Sequence, residues 1–145
     1  GLPIDLELPD GFLEEEVRDG YVVSKKLKKI WAVELDLLVR FQCVCAKYGI
    51  HYQIFGGSLL GTIRHKGFIP WDDDLDVCMT RKEFVKLQCV CAKEFAGRYF
   101  LQTGVNQPQF FLPYARLRNS ETTGAIAWHD SPDYNNGIYL DIYIY

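Results

Sequence analysis

From residue 24 to residue 48 the apolar side chains Leu27, Trp31, Leu35, Leu38, Phe41, Cys45 and Tyr48 recur at intervals of mostly three or four positions, with charged residues between them. That is the period of an amphipathic helix. Ser24 stands where an N-cap is needed, and Gly49 where a helix closes in the left-handed region. Lys25, Lys26, Lys28 and Lys29 fall on the predicted wet side of this helix. A second stripe, Phe84, Leu87, Val90 or Cys91 and Phe95, predicts a helix over 81–95 with Thr80 as its cap.

Between and after the helices the pattern changes to period two, the signature of strands. Short extended runs are predicted at 50–55, 99–101 and 110–118, with Tyr114, Arg116 and Arg118 on one side of the last. Leu75, Val77 and Met79 alternate with Asp74, Asp76 and Cys78, so Asp74 and Asp76 project from one strand face and Asp73 from the other. Like charges that close repel unless a cation neutralises them. In the final run, 138–145, the residues Ile138, Leu140, Ile142 and Ile144 oppose Tyr139, Asp141, Tyr143 and Tyr145. Asp141 joins Asp74 and Asp76 if this strand pairs beside theirs, but strand order is not encoded in alternation. Residues 1–20, with Pro3, Pro9, Gly11 and Gly20, read as an irregular arm with at most one short helical turn, and Glu14-Glu15-Glu16 as a solvated face. The segments 104–109 and 129–136 read as loops.

Composition narrows the class. With 145 residues, 48% hydrophobic and 24% charged, the chain predicts one globular core over 21–145 behind the arm. A net charge of −3 gives no general reason to bind a nucleic acid polymer, so anion binding must be local. No apolar run has the length of a membrane span and the N-terminus lacks a signal-peptide pattern, which predicts a cytoplasmic protein. The chain starts at Gly1 and stops inside a strand-like run, which predicts a piece of a longer protein. Its five cysteines, an odd number, favour reduced thiols. The hexapeptide Gln-Cys-Val-Cys-Ala-Lys occurs at 42–47 and again at 88–93. On a helix its two thiols lie about 200° apart, too far to chelate one ion from one face. They read as ordinary helical positions, one of each pair half buried.

The candidate chemistry lies in 56–77. Gly56-Gly57-Ser58 breaks a strand ahead of a short helical run, and such a turn presents unpaired N–H groups to an anion. Arg64, His65 and Lys66 form a basic cluster, Pro70 ends any helix, and Asp72, Asp73, Asp74 and Asp76 follow. Glycine turn, cations and carboxylates together suit phosphate chemistry assisted by a divalent metal. A calcium loop is a poorer reading, because its obligatory glycine would fall at Val77. Arg116 and Arg118 are a candidate phosphate clamp, although surface arginines at this spacing are common.

These residues resemble the LicD family, the phosphocholine transferases related to fukutin-type proteins, within the nucleotidyltransferase superfamily. The resemblance rests on Gly56-Gly57-Ser58-Leu59-Leu60-Gly61, on Arg64-His65-Lys66-Gly67-Phe68-Ile69-Pro70-Trp71-Asp72-Asp73-Asp74-Leu75-Asp76, on Arg116-x-Arg118 ahead of Thr122-Thr123, and on Gly137-Ile138-x-Leu140-Asp141-Ile142. It implies an α+β fold, a polymerase-β-type mixed sheet flanked by helices. It also implies that Gly57 and Ser58 bind phosphate, with Gly56 in the same turn, and that Asp74 and Asp76 are the metal-binding pair with Asp141 the third acid. Arg64, His65, Lys66, Arg116 and Arg118 would bind phosphate oxygens. The implied reaction is Mg²⁺- or Mn²⁺-dependent transfer of phosphocholine or a similar group. Its donor would be CDP-linked and its acceptor a hydroxyl of a cell-surface glycan, such as lipopolysaccharide or teichoic acid, or a lipid-linked precursor. This places the protein in the cytoplasm or peripherally at the inner membrane face. Two other readings stay open: an NTP-dependent nucleotidyltransferase releasing pyrophosphate, and a nucleotide- or metal-binding module without catalysis.

Overall fold

The computed structural model describes residues 1–55, 75–107, 110, 112–123 and 135–145. Helix α1 (Lys25–Tyr48) has the ends its caps predict. The Ser24 hydroxyl accepts the Leu27 amide at 3.1 Å, and Gly49 takes φ 65° while Ile50 N–H donates to the Cys45 carbonyl. Its buried face is wider than the single stripe predicted. Val33, Leu37 and Val44 are buried beside Trp31, Phe41 and Cys45, whereas Leu35 and Leu38 are only half buried. The reason is that α1 packs against two partners, the sheet and the N-terminal segment.

That segment departs from the irregular arm expected. Strands β1 (Glu16–Arg18) and β2 (Tyr21–Val23) pair antiparallel across Asp19 and Gly20, both at positive φ as a mirrored two-residue turn requires. Ahead of the hairpin, the amides of Asp5 and Leu6 donate to Asp36 on α1, and Asn119 Nδ2 donates to the Pro3 carbonyl. Lys28, expected in water, is 4% exposed, its ammonium 2.6 Å from Glu16 and over the rings of Phe12 and Trp31. Glu14 and Glu15 are exposed as expected, whereas Glu16, half buried, is drawn into the pair with Lys28. The hairpin gives both charges a partner, which burial of a lysine demands.

Strands β3 (Gln53–Ile54), β4 (Asp76–Met79), β5 (Tyr99–Gln102), β6 (Ala115–Asn119) and β7 (Ile138–Ile144) form a mixed sheet in the order β3-β4-β7-β6-β5. Among the described strands β4 and β7 pair parallel, and the other neighbours pair antiparallel. Strand β6 begins at Ala115 rather than at 110, because the Phe110 amide closes a turn onto the Gln107 carbonyl. Helix α2 (Arg81–Glu94) starts at its Thr80 cap and buries Phe84 and Leu87, as its stripe predicts.

Alternation sorts the sheet into two faces. Val77, Met79, Leu117, Leu140 and Ile142 share one core with α1 and α2, each burial contributing roughly 1.5–3 kcal/mol. The opposite face carries Asp76, Gln102, Arg116, Arg118, Tyr139, Asp141 and Tyr143. The cysteines are all free, with Cys43 and Cys89 exposed, Cys45 buried and Cys91 between, as the helical reading expects. No described helix is long and apolar enough to cross a membrane.

Candidate active site on the polar face of the sheet

Asp76 opens β4 and Asp141 sits mid-way along β7, and parallel pairing makes the two Cα partners. Their neighbours Val77 and Ile142 face the core, so both carboxylates must face the other way. The register is held by the Asp141 amide, which donates to the Leu75 carbonyl at 3.1 Å. Asp141 is buried, and its Oδ1 accepts the Arg116 Nε–H at 2.8 Å. Burial pushes the Asp141 carboxyl above its ordinary value, against the lowering effect of Arg116, Arg118 and a hydrogen bond with Asp76. For Arg116, burial works against the charge, but Asp141, with Tyr139 and Tyr114 adding to it, more than offsets this and the guanidinium is held above its usual range.

The two arginines, equivalent by spacing, differ in place. Arg118 donates from Nε to Gln102 at 2.6 Å and from Nη1 to the Gly137 carbonyl at 2.6 Å. It ties β5, β6 and the start of β7 together. Gly137 suits this junction because a Cβ there would collide with the Asn119 carbonyl. Arg116 lies 3.9 Å over the Tyr139 ring, with Tyr114 and Phe110 further off, and its buried Nη1 has no hydrogen-bond partner among the described residues. A buried unbonded guanidinium nitrogen is costly, and it leaves Arg116 with donor capacity for an anion.

Gly56, Gly57, Ser58, Arg64, His65, Lys66 and Asp74 lie outside the described residues, as do Trp71, Asp72, Asp73 and most of 129–136. Among the described residues no three metal-ligating side chains cluster, and Asp74, expected from sequence to share the site with Asp76 and Asp141, is not one of them. Residues not singled out from sequence also belong to this face. Tyr139 and Tyr143 flank Asp141, and alternation alone signals that all three point together. Gln102 carries no local signal, because its role depends on which strand β5 pairs with. Rings gather at one end, with Tyr114 4.6 Å and Phe55 5.2 Å from Tyr143 between centroids.

The family described as LicD/FKTN/FKRP, nucleotidyltransferase domain, matches residues 49–145, a span holding the whole five-stranded sheet and α2. The chain belongs to this LicD family. Among relatives of this LicD-family chain, the lipopolysaccharide cholinephosphotransferase LicD of Haemophilus influenzae is 35% identical over 120 residues, 82% of this chain and 44% of that protein. An uncharacterized protein of Rickettsia prowazekii is 33% identical over 75 residues, 52% of this chain and 27% of that one. One from Rickettsia typhi is 45% identical over 42 residues, 29% of this chain and 14% of that one. The chain therefore spans less than half the length of the curated relatives it matches.

Proposed function

We propose that this LicD-family domain transfers a phosphorylated small group, phosphocholine or a close relative, from a CDP-linked donor to a hydroxyl of a cell-surface glycan or its precursor. The observation that carries the reading is the register of Asp76 beside Asp141 on the polar face, within a chain similar to a cholinephosphotransferase. In this reading the core is of the polymerase-β nucleotidyltransferase type and works on the cytoplasmic side, at or near the inner membrane face.

Two adjacent carboxylates are a hard oxygen donor set, and they fit Mg²⁺ or Mn²⁺. Asp76 and Asp141 would hold the ion with Asp74; when bound it neutralises the donor diphosphate and the charge growing on the leaving oxygen. The protein's own groups supply the rest. Gly56, Gly57 and Ser58 cradle phosphate through backbone N–H groups, while Arg64, His65 and Lys66 meet its oxygens. Arg116 offers its Nη1, which has no hydrogen-bond partner among the described residues, and Arg118 stiffens the strand that carries Arg116. The acceptor oxygen bonds to the transferred phosphorus as the bond to the bridging oxygen of CMP breaks. Asp141 takes the hydroxyl proton and CMP departs.

Titrating Mn²⁺ and CDP-choline together tests the site. Wild type is expected to bind the ligand only with metal, and Asp74→Ala and Asp76→Ala to lose that binding. If both variants bind as wild type does, the site is misassigned. Following labelled CDP-choline and CTP separates the reactions. CMP release upon transfer supports the proposal, pyrophosphate from CTP would replace it with nucleotidyl transfer, and binding without any turnover would leave a binding module.

A further inference from the structure

Strand β6 sets two like charges on one face of the sheet, Arg116 and Arg118, two residues and about 7 Å apart along the strand. Across from them on β7, Tyr139 is the Cα partner of Arg118, and Asp141 that of Arg116. Although Tyr139 stands opposite Arg118, its ring lies nearer the other arginine. The Cζ of Arg116 is 3.9 Å from the ring centroid and that of Arg118 is 4.9 Å from it. Two guanidiniums therefore share one ring, whose negative π-face offsets their repulsion.

The arginines do not need that ring equally. Arg118 donates from Nε to Gln102 and from Nη1 to the Gly137 carbonyl, both at 2.6 Å. Gln102 is itself held, its Nε2 donating to Gln107 at 2.7 Å and to the Asn135 carbonyl at 3.1 Å. Two bonds to anchored acceptors settle the plane of a guanidinium. Arg116 makes one hydrogen bond among the described residues, from Nε to Asp141 at 2.8 Å, and one bond fixes a point but leaves rotation about its axis open. That rotation would sweep Nη1, which is buried and has no hydrogen-bond partner among the described residues. Guanidinium N–H groups all lie in the plane of the fork, so a ring set against that plane decides where Nη1 points.

Resting on the donor reading above, we propose that Tyr139 is a positioning residue for the phosphate-binding arginine. Its ring holds the Arg116 guanidinium in the plane that presents Nη1 to a phosphate oxygen of the donor. The ring face performs this task and the phenol hydroxyl does not. Arg118, anchored by its own two bonds, steadies the ring from the neighbouring row. Without the ring, Arg116 keeps its charge and its bond to Asp141 but loses its fixed plane, and a ligand must order the side chain as it binds.

The test measures CDP-choline affinity in the presence of Mn²⁺ for wild type, Tyr139→Phe, Tyr139→Leu, Arg116→Met and the double variant of Tyr139→Leu with Arg116→Met. Tyr139→Leu is expected to weaken binding by about 2- to 12-fold, the cost of ordering one rotamer-rich side chain on binding, while Tyr139→Phe binds as wild type does. In the Arg116→Met background the leucine should cost nothing further, an outcome that a general loss of packing would not give. Nitrogen NMR of the arginine side chains supplies a readout without ligand. Rotation of the Arg116 guanidinium should be slow in wild type and Tyr139→Phe and fast in Tyr139→Leu, with Arg118 slow in all three. Circular dichroism and a urea midpoint verify folding, and if the Arg116→Met proteins do not fold, the NMR comparison of the phenylalanine and leucine variants decides the matter. Wild-type affinity in Tyr139→Leu, a loss that persists without Arg116, or an Arg116 that turns no faster overturns the positioning role and leaves the donor reading standing. A wild type that binds no CDP-choline overturns both.

Discussion

Replacing Arg116 by Met removes the guanidinium that donates to Asp141 at 2.8 Å, in a pair whose side chains are 6% and 9% exposed. Two unit charges about 4 Å apart at an effective dielectric of about 20 attract by about 4 kcal/mol. Removing one partner of a buried pair costs about 3–5 kcal/mol, because the other is left buried and uncompensated. Losing the stack on Tyr139 adds up to about 1 kcal/mol, part of which the Met stem keeps. Arg116→Met should therefore lose about 3–5 kcal/mol at pH 7 in EDTA, and with a urea slope near 2 kcal/mol/M the midpoint falls by about 2 M. The pH dependence follows from Asp141. Its folded pKa is raised by burial and rises further once Arg116 no longer lowers it. A raised carboxyl favours the fold below its unfolded value, near 3.8, and loses that contribution as pH climbs through the folded pKa. The deficit should accordingly be larger at pH 8 than at pH 5. Adding Asp141→Asn removes the orphaned charge and should restore most of the loss. Urea unfolding followed by tryptophan fluorescence measures all of this. A deficit below about 1 kcal/mol, an equal deficit at both pH values, or two costs that simply add would refute the pairing.

Glu94 accepts from Lys47 at 2.8 Å and from Tyr48 at 2.6 Å, with Arg40 beside it, and these partners, Lys47 foremost, hold its pKa below the ordinary value. Its stability contribution is present above the unfolded value of about 4.5 and lost as pH falls through the folded pKa, so Glu94→Gln should lower Tm at pH 7 and flatten the acid limb. Calorimetric Tm curves that stay parallel to wild type would contradict it. Burial pushes the Cys45 thiol up to about 12, with Glu83 adding to the effect, whereas Cys43 and Cys89 are exposed. A thiol reagent at pH 8 should label Cys43 and Cys89 in the folded protein and Cys45 only upon unfolding, and mass spectrometry showing Cys45 modified at the same rate would refute this.

The caps illustrate what local reading can do. Ser24, Gly49 and Thr80 mark helix ends because each satisfies backbone groups within a few residues, so the signal and its cause are adjacent. Lys28 shows the limit. Its position on α1 says water, yet a hairpin of residues ahead of the helix covers it and supplies Glu16. The Asp19-Gly20 pair is a local signal for the turn, but it carries no information on where the hairpin docks.

Alternation in 75–79 and 138–145 determined, from the sequence by itself, which side chains of each strand share a face, and hence that Asp76 and Asp141 each sit opposite apolar neighbours. Side-chain direction in a strand is a local property with period two, so eight residues suffice to state it. Only the tertiary structure decided that β4 and β7 lie side by side, run parallel and pair Asp76 with Asp141. It also decided that Arg116 crosses from β6 to hold Asp141 while Arg118 turns to Gln102 and Gly137. Those partners come together through strand pairings that join distant parts of the chain, and the choice among pairings is made by burying one shared core, a property no single segment carries.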